Sequence, residues 1–140
     1  MNLRLKYGII VVFLLIAFLL IYGLFFHKAG GKTLPPPDIS ITAPALADSF
    51  DNAEGHADSL YLYKDLSVTG ILQRLHTNGS GLYVATLAGG ASGKTDIDCT
   101  LDSLYESVYS RLNIGDSLTI RGRCAGRSLN VILVQCIIEK

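Results

Sequence analysis

The spacing of apolar positions changes along the chain, and each change marks an element. Residues 8–26, GIIVVFLLIAFLLIYGLFF, are apolar without interruption and carry no charge over nineteen positions. As a helix they would run about 28 Å, close to the hydrocarbon thickness of a bilayer, so they predict a single transmembrane helix behind a short cytoplasmic N-terminus at 1–7. From Thr42 the apolar residues fall three and four apart, Leu46, Phe50, Ala53 and Ala57, which predicts an amphipathic helix with Thr42 as N-cap and Pro44 in its first turn. Beyond residue 63 the period drops to two. Strands are predicted over 64–75, 81–87, 95–101, 117–124 and 130–139, each showing the alternation of a half-buried ribbon.

The breaks between these runs carry turn chemistry. Asn78-Gly79 predicts a hairpin between the first two strands, and the same residues with Ser80 spell a glycosylation acceptor that the turn explains equally well. Gly115-Asp116 predicts the tight turn that opens the fourth strand, where Leu118, Ile120 and Gly122 alternate with Thr119, Arg121 and Arg123. Gly70, inside the first strand, predicts a bend of the kind small barrels need at their corners. Ser103 with Glu106 predicts a capping box for a short helix between the third and fourth strands, burying Leu104, Val108 and Leu112.

Residues 27–40 contain two adjacent glycines and three consecutive prolines, and they predict a linker, part flexible and part stiff, that holds a domain at 41–140 off the membrane. A cleaved signal peptide would have a shorter apolar core and a small-x-small site, which His27-Lys28-Ala29-Gly30 does not offer. Tyr7, Tyr22 and Phe26 suit the two interfaces. Arg4, Lys6 and the amino terminus outweigh Lys28 and Lys32, which places the N-terminus inside and the domain outside the cytoplasm.

Charge then narrows the partners. The chain is neutral, but four of its twelve basic residues flank the apolar run, so the part after residue 37 holds eight basic against twelve acidic residues, a net of minus four. A surface of that sign is not a general polyanion binder.

Helix, three strands, helix and two strands is the order of the OB-fold, a five-stranded Greek-key barrel. YKDLSVTG at 63–70, IDCTL at 97–101, LNIGDSLTIRGRCAG at 112–126 and VILVQCII at 131–138 resemble the bacterial OB-fold family described as tRNA-anticodon-binding-like. The resemblance runs over 41–138, about seventy per cent of the chain, and is most specific at the Gly-Asp turn and the Gly-x-Cys after it. It implies a mainly β barrel behind an N-terminal membrane anchor and, by analogy of fold, nucleic-acid binding. A fold alone does not settle function.

Candidate chemistry is sparse. AGGASGKT at 88–95 fits only a loose phosphate-loop pattern and leads into a predicted strand, where such a loop must open a helix. Glu54, His56 and Asp58 read as the solvated face of their helix. His27, His56 and His76 have no nucleophile or acid beside them by any motif. No catalyst, metal or cofactor is therefore expected. Cys99, Cys124 and Cys136 lack zinc spacing. In an OB barrel the third and fifth strands run side by side, which would bring Cys99 and Cys136 within disulfide range; buried free thiols are the alternative.

OB barrels bind single strands or oligosaccharides across their second and third strands through stacking and cations. Among Arg74, Arg121, Arg123, Arg127, Tyr61, Tyr63 and Tyr83, the ligand-binding set expected here is Arg74, Tyr83, Arg121 and Arg123, with Arg121 and Arg123 equally readable as solvated arginines. Tyr105 and Tyr109 read as packing residues. Two functions follow: a membrane-anchored, non-enzymatic module for single-stranded nucleic acid or an oligosaccharide, or an envelope-assembly subunit whose barrel meets a protein partner.

Overall fold

The computed structural model describes residues 12–19 and 35–139. The chain divides into two units, Met1–Pro35 and Pro36–Lys140. In the first, residues 12–19 are helical. The rest of the span expected at 8–26, the N-terminal residues 1–7 and linker residues 27–34 lie outside the described residues. Among the described residues no helix is long and apolar enough to cross a membrane.

The second unit contains β1 (Ile39–Thr42), α1 (Ala43–Tyr61), β2 (Asp65–Thr77), β3 (Tyr83–Leu87), β4 (Ile97–Leu101), a 3-10 turn (Ser103–Tyr105) running into α2 (Glu106–Tyr109), β5 (Ser117–Arg127) and β6 (Val131–Glu139). The sheet order is β1-β2-β3-β4-β6-β5, and β2 pairs also with β5, so β2 to β6 close into a five-stranded barrel. Closure depends on the length of β2. Its residues 65–71 pair with β5 and its residues 72–77 with β3, all antiparallel. β4 and β6 are the parallel pair of the ring.

Two features depart from the sequence reading. Residues 39–42, expected in the linker or at the domain edge, form β1, which adds to β2 in parallel register from Ile39 opposite Leu66 to Thr42 opposite Thr69. Four residues are too few for the period-two pattern to stand out from a linker. The second departure is in α1. Thr42 caps it as expected, its Oγ1 accepting from the Ala45 amide at 3.4 Å, but Ala53 has an extended backbone, φ −157° and ψ 78°, and kinks the helix. Ala53 is exposed there, because the break interrupts the period that would have turned it inward.

Ala43, Leu46, Ala47, Phe50 and Ala57 of α1 pack with Leu66, Leu72, Leu87, Ile97 and Leu133 of the barrel in one core. Each fully buried large side chain contributes about 1.5–3 kcal/mol of transfer free energy. At Gly70 helix and barrel meet closely: a Cβ there would lie 2.7 Å from the Ala43 Cβ and 3.2 Å from the Leu87 Cβ. The bend predicted at Gly70 is thus a close approach. The irregularity in the β2–β3 register falls between Leu72 and Arg74 instead.

Both predicted turns form, by somewhat different means. At 78–82 the Asn78 side chain does the work, its Oδ1 accepting from the amides of Ser80 (2.9 Å) and Leu82 (3.0 Å). The left-handed residue of that turn is Gly81, φ 78°, rather than Gly79. At the second, Gly115 takes φ 96° and its amide donates to the Leu72 carbonyl at 2.8 Å, while the Leu72 amide donates to Asp116.

Candidate ligand-binding face

Register assigns the outer face of β2, β3 and β4, since directly paired residues share a side of the sheet. Leu72, Leu75, Ala85, Leu87, Ile97 and Cys99 point into the barrel. The alternating outward rows are therefore Arg74–Thr86–Asp98 and His76–Val84–Thr100. Asp98 is pinned in the first row: Thr86 Oγ1 donates to its Oδ1 at 2.7 Å and Asn130 Nδ2 to its Oδ2 at 2.9 Å. Asn130 also accepts from the Asp96 amide, and Asp96 from the Gly89 amide, so one polar chain fixes both ends of β4's approach. Arg74 is exposed at the row's end, with no ion-pair or hydrogen-bond partner among the described residues. Its row-mates Thr86, Asp98 and Asn130 were not singled out from the sequence; the alternation of TDIDCTL was the signal that could have found Asp98.

The four residues expected to form one binding set are dispersed. Arg74 alone lies on this face. Tyr83 pairs with Thr77 on the side of Leu75 and Ala85, and its ring sits 6.1 Å from that of the buried Tyr109 at 60°. It packs against the core and offers no stacking surface on the outer face. Arg121, expected exposed, is 5% accessible, and its guanidinium is bonded through Nε (2.9 Å) and Nη2 to the Asp65 carboxylate. That carboxylate raises the Arg121 pKa further and makes the pair a structural tie between β5 and the start of β2. Arg123, two residues on, is exposed and opposes Asp65 on one side and Val134 on the other.

Arg127 is committed elsewhere, to the Phe50 carbonyl (3.0 Å) and the Asp51 carboxylate (3.1 Å) of α1. Asp51 also accepts from Thr95 Oγ1 at 2.6 Å and from Ser92 at 3.3 Å, which straps the 88–95 loop onto the helix. That loop leads into β4, as the sequence implied. Gly89 and Gly90 serve packing, since side chains there would collide with the Thr95 carbonyl and the Asp48 carboxylate.

Cys99, Cys124 and Cys136 are free thiols, all buried. The expected Cys99–Cys136 bridge is not formed in this structure; the two side chains lie together as hydrogen-bonded thiols, and that bond with burial pushes the Cys99 pKa well up. In register Cys99 opposes Leu133, and Cys136 opposes Leu101. Among the described residues no group of His, Cys, Asp and Glu could hold a metal.

A sequence model of the tRNA_anti-like family matches residues 1–138. A crystal structure of a lipoprotein from Klebsiella pneumoniae subsp. pneumoniae, provisionally named for nucleic-acid binding, is similar at TM-score 0.59 and 21% identity over 76% of this chain and 100% of that one. An OBody bound to hen egg-white lysozyme matches at TM-score 0.43 and 12% identity over 56% of this chain and 84% of that one. No curated protein matches.

Proposed function

The chain belongs to the tRNA_anti-like family, and from that premise we propose that it is a non-enzymatic OB-type binding module, carried behind a membrane anchor at 8–26 with the barrel outside the cytoplasm. Its ligand is an extended polar oligomer, single-stranded nucleic acid or an oligosaccharide, lying across the outer face of β2, β3 and β4. The observation that carries this reading is the row Arg74–Thr86–Asp98: a cation on β2 with no ion-pair partner among the described residues and, on the far side of the buried Thr86, a carboxylate on β4 held rigid by Thr86 and Asn130. Fixed donors and acceptors on rigid strands cost a ligand little ordering. The family's name and the Klebsiella lipoprotein's name support nucleic acid in particular.

Two observations favour a second reading, an envelope-assembly subunit that meets a protein partner. The chain after residue 37 has a net charge of minus four, and the β2–β3–β4 face presents no aromatic ring at its outward positions. Titrating the full-length protein in detergent micelles with a fluorescein-labelled oligothymidylate separates the two. Nucleic-acid binding is expected to weaken as salt rises and to fall about tenfold in Arg74→Glu. No anisotropy change at low salt removes nucleic acid and leaves an oligosaccharide or a protein partner. A reporter fused after Lys140 shows which side of the membrane the barrel occupies.

A further inference from the structure

Asn78-Gly79 marks the hairpin between β2 and β3, yet the turn does not explain why residue 79 is glycine. The left-handed position is Gly81, the φ of Gly79 is not positive, and a Cβ at Gly79 would meet nothing within 4 Å. Neither backbone conformation nor packing accounts for it. What the missing side chain leaves open is the Gly79 amide nitrogen. That nitrogen belongs to an exposed residue and has no hydrogen-bond partner among the described residues.

The neighbouring Asn78 carboxamide has its two polar atoms in different situations. Its Oδ1 accepts from the Ser80 amide at 2.9 Å and from the Leu82 amide at 3.0 Å. Its Nδ2 has no partner among the described residues. Two backbone N–H groups aimed at one carbonyl oxygen stabilise the oxyanion that forms when a nucleophile adds to the carbonyl carbon. The main chain of Asn78 is anchored as well, its amide donating to the Leu82 carbonyl at 2.9 Å and its carbonyl accepting from the Gly81 amide at 3.0 Å. The turn thus holds the carboxamide in place, and holding reacting groups together lowers the entropic part of a barrier.

We propose that Asn78 and Gly79 form a self-modifying site, in which the Gly79 nitrogen displaces the side-chain amide of Asn78. The nitrogen gives its proton to hydroxide and bonds to Cγ, while charge gathers on Oδ1 between the Ser80 and Leu82 amides. The Cγ–Nδ2 bond then breaks, and Nδ2 takes a proton from water and leaves as ammonia. The product is a cyclic imide. Water opens it at either carbonyl, leaving an aspartate or an isoaspartate at position 78. Both products put a new negative charge on the hairpin tip, just beyond the exposed His76 of β2. The isoaspartate also routes the backbone through an extra methylene, which the bonds between Asn78, Gly81 and Leu82 must absorb.

The test is to incubate the full-length protein in detergent micelles at pH 7 and at pH 9. The peptide carrying residue 78 is followed by mass and by chromatography that separates the asparagine, aspartate and isoaspartate forms. Conversion at residue 78 is expected, with isoaspartate among the products and a faster rate at pH 9, because the nucleophile is the deprotonated nitrogen. Asn52 and Asn113, exposed but followed by Ala53 and Ile114, stay unchanged. Gly79→Val crowds the nitrogen with a β-branched side chain and slows conversion several-fold. That side chain enters open space, so the variant melts with the parent and the slowing is not a change of fold. Protein unfolded in urea gives the rate without the turn, and conversion in the folded protein is expected to be no slower. Asn78 that stays intact in the folded protein while it converts in urea overturns the proposal, as does equal conversion in Gly79→Val. So does aspartate formed without isoaspartate, which would mean direct hydrolysis of the side chain by water.

Discussion

Gly122 shows how tightly one position is determined. It faces inward on β5 opposite Leu66, and a Cβ there would run into Cys136 Sγ. The Gly-x-Cys pattern was visible in the sequence, but its reason was not, because Cys136 is distant along the chain and only the bulge in β6 brings it there. Gly122→Ala is expected to cost about 1–3 kcal/mol by overpacking, measured by chemical denaturation, and Cys136→Ala in the same chain should return part of that loss as a non-additive pair. The thiols themselves give a second expectation. Hydrogen bonding to Cys136 and burial raise the Cys99 pKa, and burial raises that of Cys124, so both stay protonated near neutral pH. Native protein should therefore resist alkylation at pH 8, and protein unfolded without reductant should take three labels by mass; a single label would mean the bridge forms after all. Arg121 is buried for a related reason: alternation puts it outward, and nothing local says that Asp65, fifty-six positions away, will cover it.

At the level of elements, the strand and α1 positions were readable because period two and period 3.6 persist over many residues, whereas α2 was not. Its predicted stripe was Leu104, Val108 and Leu112, yet Leu104 is 82% exposed, Val108 is also exposed, and the fully buried residue is Tyr109. The first turn is 3-10 over Ser103–Tyr105, started by Asp102, whose Oδ1 accepts from the Leu104 amide at 3.0 Å. A 3-10 turn advances about 120° per residue against about 100° in an α-helix, so three residues shift the buried face by about 60°. Tyr109→Ala is accordingly expected to cost about 3 kcal/mol, as for other buried rings, and Leu104→Ser less than about 0.5 kcal/mol. Equal effects in thermal melts would mean the helix packs on the predicted stripe.

For the whole molecule, the order of strands along the sequence points to a closed barrel, because few topologies accommodate three strands, a helix and a hairpin. The expected binding set is dispersed around the barrel, since exposure and grouping depend on which strands meet around the ring. Helix and barrel are joined outside the core by Asp51, which gathers Thr95, Ser92 and Arg127. The Thr95 hydroxyl, then Arg127, Ser92 and Lys94, hold its pKa below the usual carboxylate value against the opposing effect of burial. A folded-state pKa lower than the unfolded value of about 3.9 means the clamp's contribution is complete above that value and is lost as pH falls through the folded pKa. Asp51→Asn should thus melt lower than the parent at pH 7, with the gap narrowing toward pH 2 in a series of thermal melts. A gap independent of pH would assign the loss to packing alone.

The parallel seam at the start of the domain has a mechanical corollary. Immediately after the prolines, the Asp38 amide donates to the Asp65 carbonyl and its carboxylate accepts from the Asp65 amide, each at 2.9 Å, before β1 runs alongside β2. Tension arriving from the N-terminal side in line with β1 would load those bonds together in shear and not peel them one after another, so a barrel pulled from that side would keep its first ribbon seated.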